Sequence, residues 1–381
     1  NWYLARAHLS ATADAILNTA ALLARDWHYS LDALYLRMGD VRVEAASRRL
    51  SAPHSPKTHS SATHSPNPHS PETPSPEKRQ DAASTTGNIW ARARAYRLHA
   101  DAGLTGRAFT QYAYGLTAGG DRAFRLDEHA GTALLGGFID QGRIDRDFAG
   151  AGATGHTSNL SAGLYAAWLH DAGWHADLVL KADRYKHRFD TLTAAGHPVR
   201  GAYTSAAQGL SLELGRRFEQ NRHLEQGNHL EQNRYLGQNH RLASSPAGAG
   251  WWVEPAAQAA IAWLRGADYR TTPGNQTLDV KLDTARAAQY RALVRFGRTL
   301  ANSRWTPYGK FGVARTDTAG GTIHAGGKPF VPDCDGWREE FGFGASWRID
   351  AESQLYLDYE YSKAARHERP WSLHLGHRRL W

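Results

Sequence analysis

The sequence predicts an all-β transmembrane barrel of twelve antiparallel strands, with an α-helix at the amino-terminal end. Three observations lead there. From Asn88 onward the side chains alternate with a period of two, the signature of strands whose faces differ. The alternating runs are near ten residues or longer, enough for the roughly 9–11 residues of a tilted bilayer crossing and beyond the ~5–6 of a common soluble strand. The apolar faces tend to begin or end in Trp or Tyr, as at a headgroup belt, while the opposite faces carry Arg, Glu and Asp among Gly and Ser.

Composition sets outer bounds. The 381 residues are 41% apolar and 22% charged, with a mean hydropathy of −0.58. No run approaches the ~18–20 apolar residues of a membrane helix, so a helical membrane protein is excluded. Averaging over alternating faces hides a lipid-facing surface behind a charged lumen. The 13 Trp, 16 Tyr and 11 Phe then become girdles, and the 37 Gly become close-packed lumen and turns. A single cysteine, Cys334, permits neither an internal disulfide nor a Cys-based zinc site. The net charge of +8 would suit a nucleic-acid binder, but the Arg residues are dispersed over strands rather than clustered, so no nucleic-acid partner is expected. Phosphate-loop and cofactor motifs are absent, and no cofactor or metal is expected. Asn1-Trp2-Tyr3 lacks a secretory signal, consistent with a cytosolic protein or the downstream part of a longer precursor.

The first element, within residues 1–50, is a helix over 11–42, rich in Ala and Leu and free of Pro. Thr12 and Ala15 make no capping box, and Gly39 is a stop signal. About 28 helical residues at 1.5 Å each would reach roughly 40 Å. Asp14, Arg25, Asp26, His28, Asp32 and Arg37 make it too polar for lipid. It fits either on the surface of a core or inside a polar channel.

Residues 51–87 form a linker whose HSPKT, HSSAT, HSPNP, HSPET and PSPEK units are too Pro-rich for helix or sheet, giving a disordered or partly extended segment. Its His54, His59, His64 and His69 have no rigid element to hold coordination geometry, so metal binding is not expected. A second repeat at 219–242 (EQNRHL, EQGNHL, EQNRYL, GQNHRL) places Leu every six residues, matching no helical period, and reads as an expanded loop.

The barrel occupies residues 88–381. Strands are expected near 88–100, 105–119, 130–146, 156–170, 173–189, 199–218, 251–265, 285–299, 304–316, 337–348, 353–363 and 371–381. The even count suits a single-chain bacterial outer-membrane barrel. Backbone groups in a bilayer must all be paired, so the sheet has to close. Trp337, Phe341, Phe343, Ala345 and Trp347 share one face, opposite Arg338, Glu340, Gly342, Gly344, Ser346 and Arg348. Likewise Trp174, Ala176, Leu178 and Leu180 oppose His175, Asp177, Val179 and Lys181.

Several segments resemble one family. LYLRMGDVR (34–42) followed by NIWAR (88–92) looks like the junction of an autotransporter translocator. GHTSNLSAGLYAAWLHDAGWHADLVLKADRYKHRF (155–189), LELGRRF (212–218), WWVEPAAQ (251–258) and YEYSKAARHERPWSLHLGHRRLW (359–381) resemble the pertactin-type barrel. Together they span nearly the whole chain outside the two repeats.

The resemblance implies a type V secretion translocator in the bacterial outer membrane, exporting an upstream passenger, with the amino-terminal helix in the pore. It implies no catalytic residues, and as partners outer-membrane lipid, the barrel-assembly machinery, periplasmic chaperones and the chain's own passenger, the barrel being monomeric. Arg25, Asp26, Asp32, Arg37 and Asp40 are then the candidate plug contacts, facing Arg291, Arg295, Arg338, Glu340, Asp358 and Glu360. The family's terminal assembly signal would comprise Leu373, Leu375 and Trp381 outward with Gly376 inward; Arg379 and His377 depart from its apolar pattern. Where some members cut themselves at an Asn pair, this chain has Asp32-Ala33, leaving Asn18 as the one Asn in the helical stretch.

Two other classes compete. A rim hydrolase would draw on Asp333, Asp335, His324 and His367 in connections, although no G-x-S-x-G motif is present. A passive porin would need a lumen free of the helix.

Overall fold

A computed structural model describes residues 11–32, 34–36, 86–101, 108–126, 130–148, 153–193, 195–220, 250–272, 277–300, 303–333, 335–350 and 352–380. The Pro/Ser/His repeat, nearly all of the hexapeptide repeat, Arg37, Asp40, Cys334 and Trp381 lie outside them.

Helix α1 (Ala11–Ala21) leads, and helical backbone continues over 23–32 and 34–36 after a turn at Leu22. Twelve long strands follow: β1 (Thr86–Ala100), β2 (Phe109–Arg125), β3 (Thr132–Phe148), β4 (Thr154–Leu169), β5 (Trp174–Leu192), β6 (Pro198–Arg216), β7 (Gly250–Leu264), β8 (Ala285–Thr299), β9 (Trp305–Gly320), β10 (Gly336–Arg348), β11 (Ser353–Ala364) and β12 (His367–Leu380). Each pairs antiparallel with its successor, and β12 pairs with β1 from Asn88↔Leu380 to Ala100↔His367. The barrel is closed, the condition for pairing backbone groups inside a bilayer. Strands run from 12 to 19 residues. The longest exceed a tilted crossing, so they project beyond the bilayer.

The two faces sort as the alternation requires. Ile139, Leu160, Leu164, Leu178, Phe311, Phe343, Leu357 and Leu375 are exposed apolar residues facing outward. Trp168, Trp174, Trp251 and Trp305 ring one end of this band, and Tyr114, Trp263, Tyr290 and Trp337 stand toward the other. The inner face holds Arg92, Arg94, Asp140, Arg146, Asp177, Lys181, Glu213, Glu254, Asp358 and Arg369, all buried.

Several strand boundaries differ from the sequence expectation by three residues or more, among them the start of β2 and the ends of β5 and β9. Two of these differences, the end of β2 and the start of β12, have a visible structural setting. β2 runs on through Gly119 and Gly120 to Arg125, beyond the expected end at 119. In this extension Gly119 and Asp121 face the lumen. A Cβ on Gly119 would lie 2.7 Å from the Trp90 ring, and the Asp121 carboxylate accepts hydrogen bonds from Asn88 Nδ2 and Tyr165 Oη, each at 2.6 Å. β12 begins at His367 rather than 371, with register irregularities between Arg97 and His99 and between Glu360 and Ser362 absorbing the extra residues.

The β7–β8 and β9–β10 connections build a small sheet of their own. Its four strands lie in the order Lys328–Phe330, Ile323–Ala325, Asp279–Leu282, Ala267–Arg270. Val280, Ile323 and Ala325 share an apolar cluster with Ala15, Ile16 and Leu17 of α1, so this sheet sits over the start of the helix. Between its two inner strands His324 Nε2 lies 3.0 Å from Asp283 Oδ2, and this hydrogen bond holds the Asp283 carboxyl below its usual range.

Candidate functional site: the helix-filled lumen

From Thr12 to Leu36 every described helical residue is buried except Ala13 and Ala20, which are partly so. A helix packed on an outer surface would expose one face; this one is enclosed on all sides by the barrel. Its first turns belong with Leu98, Ala100 and Phe109, at the β1–β2 end of the wall. Leu31, Leu34 and Tyr35 share the cluster that contains Trp90, Leu134, Phe138 and Leu169, toward the end where β1 begins. The helix therefore runs the length of the pore, away from the small sheet.

Polar side chains along the helix meet the wall at distinct levels. Asp26 accepts hydrogen bonds from Arg146 Nη2 of β3 at 2.8 Å, Gln111 Nε2 of β2 at 2.6 Å and Tyr96 Oη of β1 at 3.1 Å. Arg146 also donates to Gln111 at 2.9 Å and Thr157 at 2.7 Å, tying four strands to one helical carboxylate. Lys181 of β5 donates to Ser30 at 2.6 Å and to Asp183 at 2.5 Å, with its ammonium 5.5 Å from the centre of the Trp27 ring. Trp27 itself fits because β6 carries Gly209: a Cβ there would stand 2.5 Å from the indole.

A second charged level surrounds Asp32. Its carboxylate receives Arg291 of β8 at 3.5 Å and Arg369 of β12 at 3.2 Å. Arg291 and Arg338 pair with Glu340, while Arg369 and Lys310 pair with Glu360. Tyr29 lies between the cations, with Arg369 4.3 Å and Arg338 4.8 Å from its ring centre, and its hydroxyl is 3.1 Å from His367 Nε2. Below this, Tyr35 donates to Ser211 of β6.

The residues proposed from sequence divide accordingly. Asp26, Asp32, Arg291, Arg338, Glu340 and Glu360 fall in the helix–wall network. Arg25 is buried on the helix. Arg295 and Asp358 pair within the wall: Arg295 donates to Glu213 at 3.1 Å and Glu254 at 2.9 Å, and Arg92 donates to Asp358 at 2.9 Å. Sequence reading missed Arg146, Gln111, Tyr96 and Arg369, four of the five direct partners of the two helical carboxylates, and named the fifth, Arg291. Their inward parity was readable, but alternation does not say which point around the barrel faces the helix. Of the terminal-strand residues, Leu373 and Leu375 are exposed outward, and Gly376 faces inward beside the Arg92 guanidinium.

The rim-hydrolase candidates are not gathered into one site. His324 pairs with Asp283, Asp333 with Arg366, and Asp335 accepts the Thr318 N–H at 2.7 Å. His367, expected in a connection, is instead buried at the start of β12 against Tyr29. Among the described residues one group has metal-ligand spacing, His175, Asp177 and Glu213. Arg295 donates to Glu213 there at 3.1 Å, so that carboxylate is already engaged by a cation.

A closed twelve-stranded wall, an outward apolar band with aromatic girdles and a helix buried in a charged lumen define an outer-membrane β-barrel with its pore filled from within. Residues 89–360 match the autotransporter beta-domain family, and the chain belongs to that family: it is an outer-membrane translocator domain. The pertactin autotransporter of Bordetella parapertussis is 28% identical over 378 residues, covering 98% of this chain and 33% of that protein. The BrkA autotransporter of Bordetella pertussis is 29% identical over 275 residues, covering 71% of this chain and 24% of BrkA. The chain thus spans a third or less of these relatives. The crystal structure of the Bordetella BrkA beta domain superposes with a TM-score of 0.59 at 27% identity, covering 77% of this chain and 99% of that one. The translocator domain of NalP from Neisseria meningitidis, at 13% identity and a TM-score of 0.57, shares the fold.

Proposed function

We propose that this barrel exports a passenger segment joined to its amino terminus, and that the helix which led the passenger out remains as the plug of the pore. The observation that carries the reading is the helix itself, enclosed by the wall and joined to it through Asp26–Arg146 and Asp32–Arg369. A segment entering at the small-sheet end and leaving where β1 begins is threaded as an exported chain's trailing end would be. The small-sheet end is then the cell exterior, and the end of β6 and the start of β7 face the periplasm. On this reading the barrel works as a monomer in lipid, delivered by periplasmic chaperones and inserted by the barrel-assembly machinery, which recognises the β12 strand. The passenger crosses as a hairpin before the lumen is filled.

The reading also implies no self-cleavage at Asp32-Ala33, because the Asp32 carboxylate is engaged by two arginines. Export is tested by fusing a protease-sensitive reporter ahead of Asn1 and treating whole cells with protease. Digestion of the reporter with the barrel intact supports the proposal; a reporter protected until the outer membrane is broken overturns it.

A further inference from the structure

The outer wall carries a charged surface that neither the plug nor the lumen accounts for. On β5, Leu178 and Leu180 face outward in the apolar band, and the next outward positions run Ala182, Arg184, Lys186, Arg188. All three cations are exposed, and Arg184 and Arg188 lie about 13 Å apart along the strand. Among the described residues none of the three forms an ion pair, whereas their neighbours do: Arg143 and His156 share Asp145, and Arg200 holds Asp190. On β6 the residues facing this ladder are small, with Ala206 beside Arg184, Thr204 beside Lys186 and Ala202 beside Arg188.

A second observation falls at the same place. Where β6 and β7 part, a recess of about 410 Å³ opens, lined on its outer side by Ala182, Ala206, Gln208, Trp263, Arg265 and Arg286. Arg265 and Arg286 are exposed, and they too form no ion pair among the described residues. The result is a shallow channel floored by small side chains, with a tryptophan at its apolar edge and cations on both flanks. It begins where the apolar band ends, at the level at which lipid headgroups meet the wall.

We propose that this surface binds the phosphorylated glycolipid of the outer leaflet, lipopolysaccharide, through the phosphates of its lipid A. Acyl chains lie along Leu178, Leu180 and Leu212, the diglucosamine headgroup rests on Ala202, Thr204 and Ala206, and the guanidinium and ammonium groups take the phosphates as charge-assisted hydrogen bonds. Net positive charge concentrated on one stretch of wall fits an anionic lipid and disfavours a neutral one. The assignment rests on the orientation given above, in which the β5–β6 turn is outside.

The test uses the whole chain, purified in neutral detergent, and measures binding of lipid A with two, one or no phosphates by native mass spectrometry. The expected result is binding that weakens with each phosphate removed. The combined variant Arg184→Gln/Lys186→Gln/Arg188→Gln should lose roughly tenfold or more in affinity for the bis-phosphorylated lipid, given the contribution of each basic residue near an anionic surface. A variant at the opposite end, Arg298→Gln/Arg304→Gln/Arg348→Gln, should bind as the wild type does. Wild-type affinity that is indifferent to phosphate number overturns the proposal without recourse to any variant. Equal loss from both variants overturns it as well, as does a β5 variant that turns a dimer into a monomer with lipid binding unchanged. Because binding in detergent does not depend on which way the barrel faces, the orientation is checked separately, by labelling a cysteine placed at the exposed His197 of the β5–β6 turn, in a chain also carrying Cys334→Ser, in whole cells. Labelling only after the membrane is opened overturns the orientation, whatever the lipid result.

Discussion

Asp26 shows how much can depend on a single side chain in a filled pore. It is buried, and so is Arg146, with 2.8 Å between their charged atoms. Neither could be left alone there, because an uncompensated charge out of reach of water costs several kcal/mol. Asp26→Ala should therefore destabilise the folded barrel by about 3–5 kcal/mol, most of it the cost of stranding Arg146. Arg146→Leu added to Asp26→Ala should recover part of that loss, since the stranded charge is gone. Urea unfolding in detergent, followed by tryptophan fluorescence, reads both effects. Additive losses in the double variant would mean that the two residues act independently. Asp32 differs in kind: two arginines reach it, so loss of either one leaves the other. This residue-scale detail was the least legible in the sequence. Asp26 and Asp32 stood among several charges on the helix, but Arg146 and Arg369 lie 120 and 337 residues away. Their meeting depends on how the wall is wound, which a period of two does not encode.

At the scale of elements the sequence was far more legible. A strand between lipid and a polar lumen must alternate, so parity told which side chains face outward on β5 and β10. It did not carry the strand past Gly119, where a residue without a side chain admits the Trp90 ring rather than ending the strand. The helix was legible as a helix but not as a buried one, since its charges suit water and lumen alike. Enclosure decides between those, and it makes the plug a mechanical prediction. The helix fills the channel with Trp27, Tyr29 and Tyr35 as well as its backbone, all three side chains being buried. Deleting residues 1–50 should raise single-channel conductance sharply in planar bilayers, while the full chain stays nearly closed. Similar conductance before and after deletion would mean that the helix does not obstruct the pore.

For the whole molecule, closure is the decisive event, because the seam between β1 and β12 joins residues almost three hundred positions apart. Twelve residue pairs from Asn88↔Leu380 to Ala100↔His367 close the wall, and until they form both strands present free edges to the bilayer. The outward face of β12 at that seam is Leu373, Leu375, His377 and Arg379. Arg379 lies at the end of the wall where β12 stops, 3.7 Å from Glu352, where a long cation can reach water past a lipid-facing wall. The polar departures from an apolar terminal strand therefore sit where they cost little in the finished barrel, and any penalty should fall on recognition during insertion. On the proposal that the assembly machinery recognises this strand, Trp381→Ala should slow insertion while leaving the stability of the inserted barrel almost unchanged. The rate is read as the appearance of a form that migrates faster on a gel unless boiled, and stability as the temperature at which that form is lost. A normal rate would remove Trp381 from the signal, whereas a fall in both rate and melting temperature would make it a structural residue of the seam.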